Sequence, residues 1–118
     1  MHGELSFFEL GVGDSERART FYAALFGWEF ADDGAATTIE TPNVPGGLHG
    51  GDEGASPYVF FAVDDLQRAI ARLTELGGEV GGYESGSDAE TVARFGRFVL
   101  CSDDQGSSFG LHERPTPA

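Results

Sequence analysis

Two stretches of the chain, 51 residues apart, carry one arrangement of apolar and polar positions. Phe8, Leu10 and Val12 alternate with other residues ahead of Asp14, and Val59, Phe61 and Val63 alternate ahead of Asp65, the period of two that a half-buried strand requires. Behind Asp14 the apolar positions fall at Ala18, Phe21, Tyr22, Leu25 and Phe26; behind Asp65 they fall at Leu66, Ala69, Ile70, Leu73 and Leu76. Steps of three and four place each set on one side of a helix, with the aspartate as N-cap and Gly27 or Gly77-Gly78 as the stop. The pattern predicts strand then helix, twice, with the helix stripes covering the apolar faces of the strands.

Short stretches broken by Gly, Pro and Asp follow each helix: Trp28 to Ala31, Ala36 to Thr41 and Gly47 to Gly50, then Glu79 to Tyr83, Phe95 to Cys101 and Ser107 to Glu113. Asp103-Asp104-Gln105-Gly106 reads as a hairpin turn in which Gly106 supplies a positive φ. The tripeptide Gly47-Leu48-His49 recurs as Gly110-Leu111-His112, displaced by 63 because the loop around Gly81 to Arg94 is longer. Each half is then a strand, a helix and three strands. This is an α+β chain of two βαβββ modules, module one at about 1–53 and module two at about 56–114, within a single domain over 1–118.

Composition narrows the function classes. Seven Arg, no Lys and twenty Asp and Glu leave a formal charge of −13, which phosphate backbones and anionic membrane surfaces repel, so neither nucleic acid nor membrane is expected as a partner. The longest apolar run, Tyr58 to Val63, is far too short to span a bilayer, and Glu4 and Glu9 interrupt any leader-like N-terminus. The lone Cys101, beside Val99 and Leu100, reads as a buried thiol in a strand, and the expected location is cytoplasmic.

A period of two also sorts each strand into two faces. Phe8, Leu10, Val12, Leu48, Val59, Phe61, Val63, Phe109 and Leu111 share the face that the helices cover. The opposite face carries Phe7, Glu9, Gly47, His49, Tyr58, Phe60, Ala62, Ser108, Gly110 and His112. Rings, small residues and a few ionisable groups are what the wall of a small-molecule cavity is made of, and a curved sheet around such a cavity is expected.

The segments Phe8-Glu9-Leu10-Gly11-Val12-Gly13-Asp14, Phe21-Tyr22, Leu25-Phe26-Gly27-Trp28 and Asp103-Asp104-Gln105-Gly106-Ser107-Ser108-Phe109-Gly110-Leu111 resemble the glyoxalase/bleomycin-resistance/dioxygenase proteins, the vicinal oxygen chelate superfamily. The resemblance implies two βαβββ modules whose curved mixed sheets enclose a cavity, often completed by a homodimer. In metal-dependent members such as glyoxalase I it implies His, Glu or Gln ligands at one inward position on the first and last strand of each module. Here those positions fall on Phe7, Gly47, Tyr58 and Gly110, which carry no usual ligand set, so no metal and no cofactor are expected.

Two residues further along the same face lie Glu9, His49, Phe60 and His112. If the first and last strands of a module run parallel, the whole set shifts by roughly 7 Å and still converges. Glu9, His49 and His112 are therefore the candidates for a displaced metal or acid–base site. Ser107 and Ser108 lack an adjacent base that the sequence can establish, and Asp52-Glu53 reads as solvated loop acidity. The leading expectation is a metal-independent small-molecule-binding protein whose ligand meets Phe7, Glu9, His49, Tyr58, Phe60 and His112. A negative chain with rings and a carboxylate favours a cationic aromatic ligand, and sequestration of a drug, hence antibiotic resistance, is its concrete form. The alternative is an enzyme of this superfamily, a lyase, isomerase or dioxygenase, working at Glu9, His49 and His112.

Overall fold

The computed structural model describes residues 3–33, 36–85 and 89–115. The chain forms two compact units, one of Phe7–Val59 and the other of everything from Phe60 onward together with the residues before Phe7. The first contains β1 (Leu5–Gly11, of which the first two residues belong to the other unit), α1 (Ser15–Phe26), β2 (Glu29–Asp33), β3 (Ala36–Glu40) and β4 (Gly46–His49). Its strands run in the order β2-β3-β4-β1, antiparallel except for β1 and β4, which are parallel with Leu10 opposite Leu48.

The second unit repeats this plan. It contains β5 (Tyr58–Ala62, entering from the first unit), α2 (Leu66–Glu75), β6 (Glu79–Ser85), α3 (Ala89–Phe95), β7 (Arg97–Ser102) and β8 (Ser108–Glu113). Its strand order is β5-β8-β7-β6, again with the first and last strands parallel and the others antiparallel. The N-terminal residues join this unit through the backbone: Gly3 N–H donates to Ala62 O, and Ala62 N–H donates to Glu4 O, both at 2.9 Å.

The punctuation works as the sequence predicts. The Asp14 carboxylate accepts the N–H groups of Glu16 and Arg17, and Gly27 closes α1 with φ 76°, a left-handed conformation that costs glycine least. Asp65 accepts Arg68 N–H at 3.1 Å, and Glu113 of β8 accepts Leu66 N–H at 2.8 Å, so α2 is tied at its N-terminus by its own cap and by the last strand. In the β7–β8 turn Asp103 accepts the N–H groups of Gln105 and Ser107, and Gly106 has φ 88°.

Two expectations need correction. Part of the stretch expected as a loop between Gly81 and Arg94 is structured: β6 runs on to Ser85 and α3 begins at Ala89, while residues 86–88 lie outside the described residues. The α1 stripe, moreover, does not cover its sheet. In the second unit Leu66 and Ala69 of α2 are buried with Val63, Val99, Cys101 and Leu111. In the first unit α1 buries only Ala18 against Leu10, Ile39 and Leu48, with Tyr22 partly covered, while Phe21, Leu25 and Phe26 are 57–59% exposed. The reason is volume. Trp28 stacks on Tyr22 at 5.6 Å and meets Phe8 at 5.7 Å, so one ring after the helix and one from β1 already fill the space under it.

The two helices should therefore respond differently to truncation. Leu66→Ala, at a position 2% exposed, is expected to cost about 2–5 kcal/mol. Leu25→Ala on α1 should stay within about 0.5 kcal/mol of the parent chain when urea unfolding is followed on dilute protein.

Candidate functional site

Parallel pairing of β1 with β4 sets Glu9 opposite Gly47 and Gly11 opposite His49. Each large polar residue thus faces a residue without a side chain. A Cβ on Gly47 would collide with Glu9 Oε1, and a Cβ on Gly11 would collide with Asp52 Oδ2 and lie 2.8 Å from His49 Nε2. The two glycines leave the room in which Glu9 and His49, on one face of the sheet, lean toward each other. His49 Nδ1 lies 2.6 Å from Glu9 Oε2, and its Nε2 lies 2.9 Å from Asp52 Oδ2. Tyr58 OH donates to the same Asp52 oxygen at 3.1 Å, and its ring lies 6.2 Å from the imidazole. The result is an unbroken chain, Glu9–His49–Asp52–Tyr58, whose charged side chains remain partly exposed.

The electrostatics follow from this order. An imidazole facing two ionised carboxylates satisfies both only as imidazolium, donating from both nitrogens. Burial opposes that charge at His49, yet Glu9 and Asp52 outweigh it and the imidazole is held above its usual pKa of 6.5. Burial raises the Glu9 carboxyl, with His49 pulling the other way, whereas His49 and then Tyr58 lower Asp52. The hydrogen bond to Asp52, and then its charge, raise the Tyr58 phenol. The two carboxylates are pushed apart, Asp52 firmly ionised and Glu9 the first to take a proton.

Of the residues expected at the site, the fold brings together Glu9, His49 and Tyr58, with Phe7 half-buried two residues before Glu9 on the same face of β1. Asp52 was read as loop acidity; the signal for it was Gly11, a glycine inside a strand, where a side chain approaches closely. Phe60 and His112 belong to the other unit, each 5% exposed. There Phe60 packs edge-on against Phe98 at 5.2 Å, its ring in the space a Cβ on Gly110 would need, and Phe98 stacks on His112 at 4.2 Å. His112 Nε2 lies 2.7 Å from Phe95 O and Nδ1 lies 2.8 Å from Ser6 Oγ. A carbonyl only accepts, so Nε2 carries the proton and Nδ1 accepts from the hydroxyl. Burial holds this imidazole below its usual pKa, so it is neutral where His49 is charged.

A family model described as a glyoxalase-like domain matches residues 8–112. The chain belongs to this family. A glyoxylase-like domain-containing protein of Didymella fabae is 32% identical over 93 residues, covering 67% of this chain and 72% of its own length. A Mycobacterium bovis protein named as a glyoxylase is 26% identical over 126 aligned positions, covering 92% of this chain, which spans only 45% of that relative. The crystal structure of methylmalonyl-CoA epimerase from Mycobacterium tuberculosis superposes with a TM-score of 0.69 at 18% identity, over 98% of this chain and 89% of that one. The glyoxalase-like assignment agrees with the α+β plan of two βαβββ modules described above, the second carrying the added α3.

The residues at the positions where the resemblance implies metal ligands do not fit a metal ion. Gly47 and Gly110 offer no donor, and the volumes a ligand side chain would need there belong to the Glu9 carboxylate and the Phe60 ring. Among the described residues no group of three or more His, Cys, Asp or Glu is arranged to hold a metal ion. Both imidazole nitrogens of His49 face carboxylates at hydrogen-bond distance, so ligation would require breaking one of these contacts.

The opposite states of the two histidines predict a two-sided pH profile of stability. For His112 the folded pKa lies below the usual 6.5, so the unfolded chain takes up a proton that the folded chain resists, and stability falls as the pH drops below about 6.5. For His49 the folded pKa is raised, so its contribution is fully present below about 6.5 and is lost as the pH rises through the folded value. Urea midpoints between about pH 5 and 8 should lose their acid decline in His112→Gln and their decline toward alkaline pH in His49→Gln.

Proposed function

We propose that this glyoxalase-like chain is a metal-independent small-molecule-binding protein that takes an organic cation carrying an aromatic or flat apolar part at the Glu9–His49–Asp52–Tyr58 cluster. The observation that carries the reading is one imidazole held between two carboxylates at 2.6 and 2.9 Å. With both carboxylates ionised and His49 protonated the cluster keeps one net negative charge, and a chain of formal charge −13 adds a field of the same sign. The Tyr58 ring beside His49 supplies an aromatic face, and cation–π attraction grows as water is displaced. Sequestration of a cationic drug is the concrete form of this function. The buried Cys101 thiol, pushed up to about 11 by desolvation, stays protonated and unreactive, in keeping with a cytoplasmic location.

A second reading, an acid–base enzyme, is favoured by one specific feature. Environment drives the two carboxylates apart, with Asp52 and Tyr58 orienting His49 and Glu9 left as the group that gains and loses a proton. Such a relay suits proton transfer next to a carbonyl. Proton NMR of carbonyl carbon acids in D2O would show exchange that His49→Gln abolishes, and no exchange across the panel would remove this reading.

Benzyltrimethylammonium is a suitable probe for the first reading. Titration into the chain should perturb the amides of Glu9, His49 and Tyr58, and Glu9→Gln should weaken binding about ten- to a hundredfold, the equivalent of a charge-assisted contact of roughly 1.5–3 kcal/mol. Binding should also weaken as the pH falls through the raised Glu9 pKa, because the neutral acid no longer attracts the cation. Affinity indifferent to both Glu9→Gln and Asp52→Asn would overturn the cationic reading.

A further inference from the structure

The contacts that hold His49 are unequal, and the inequality decides which of them a ligand can take over. Asp52 Oδ2 accepts from two groups, His49 Nε2 at 2.9 Å and the Tyr58 hydroxyl at 3.1 Å. Glu9 has His49 as its one side-chain hydrogen-bond partner among the described residues, Oε2 to Nδ1 at 2.6 Å. Its other oxygen, Oε1, lies over Gly47 in the space a Cβ there would fill. The His49 and Glu9 side chains are 41% and 26% exposed, so water reaches both. The titratable groups that face the imidazole are Glu9 from β1, Asp52 from the segment after β4 and Tyr58 from β5; Gly11, opposite it on β1, brings none.

We propose that an organic cation enters this cluster in exchange for the proton that His49 carries between its two carboxylates. The inference rests on the cationic reading above and names what regulates it. A cation seated against Glu9 and the Tyr58 ring, whose centre is 6.2 Å from that of the imidazole, is a like charge beside an imidazolium. It also occupies the carboxylate that favoured the ring's charge. Glu9 turns from the ring to the cation, the N–H bond at Nδ1 breaks with its electron pair left on nitrogen, and the proton passes to water. The neutral ring still donates from Nε2 to Asp52, which Tyr58 holds in place, so the exchange needs no movement of the strands. Linkage is reciprocal: a cation that weakens the ring's hold on its proton is itself bound less tightly where that proton is present. Glu9 and Asp52 keep the free imidazole charged below about pH 6.5, so binding strengthens as the pH rises through the His49 titration. It is weakest in acid, where Glu9 also takes up a proton.

NMR of the imidazole rings in the full chain, titrated from about pH 5 to 9, reads the exchange at His49 itself, so the titration of Glu9 does not obscure it. Spectra with saturating benzyltrimethylammonium chloride are compared with spectra in the same concentration of sodium chloride, which matches the screening. The His49 midpoint should fall by about one pH unit or more with the probe, and affinity should be about tenfold higher above the two midpoints than below them. His112, bonded to Ser6 and the Phe95 carbonyl, is the control in the same spectra, and its midpoint should stay where it is. If the probe perturbs the amides of Glu9, His49 and Tyr58 but leaves the His49 midpoint unmoved or raised, the exchange is wrong and the cationic reading stands. If it perturbs none of those amides, both are overturned.

Discussion

Parallel register between the first and last strands of each module places a glycine opposite a large residue, and the chemistry of both halves depends on that opposition. In the first module Glu9 faces Gly47 and His49 faces Gly11; in the second Phe60 faces Gly110. The missing Cβ at each glycine is the volume into which the opposite side chain folds. Both glycines make room for this contact, because a methyl group at Gly47 would displace the Glu9 carboxylate and one at Gly11 would press on His49 and Asp52. Backbone pairing thus fixes a hydrogen bond between side chains that lie diagonally across two strands.

The same device yields opposite electrostatics in the two halves. In the first module the space beside glycine holds a carboxylate, and the histidine next to it is held above its usual pKa because Glu9 and Asp52 outweigh burial. In the second the space holds a phenyl ring, and the histidine two residues beyond the glycine is stacked on Phe98, bonded to Ser6 and a carbonyl, and kept neutral by desolvation. The repeated Gly-Leu-His tripeptide consequently carries a partly exposed, ionisable group once and a packing group once. A sequence repeat sets where the histidine stands; the neighbouring strand sets what it does.

Much of the fold was legible because its signals are local. Asp14, Gly27, Asp65 and Gly106 act through bonds to residues one to four positions away, and alternation along β1, β4, β5 and β8 needs no knowledge of partners. The α1 stripe was misread for the opposite reason. Periodicity says which residues share a face, but the rings of Trp28 and Phe8, which keep Phe21, Leu25 and Phe26 out of the core, arrive from other elements. At the site, Glu9 and His49 were visible as a pair on one face once the strands were taken as parallel. Asp52 was not, since an acidic loop residue beside Glu53 looks solvated until the turn is folded back by Asp52 N–H donating to Val12 O at 2.8 Å.

The absence of donors at Gly47 and the presence of the carboxylate–imidazole chain share one structural cause. A donor side chain at the Gly47 position would need the volume in which the Glu9 carboxylate sits, and a glycine there is what allows Glu9 to accept from His49 at 2.6 Å. The two arrangements therefore compete for a single volume. Charge works in the same direction: the two carboxylates hold the His49 imidazole above its usual pKa, and metal coordination needs the neutral ring. In the first module the space beside Gly47 is taken by the Glu9 carboxylate, and the contacts that hold it run to an imidazole.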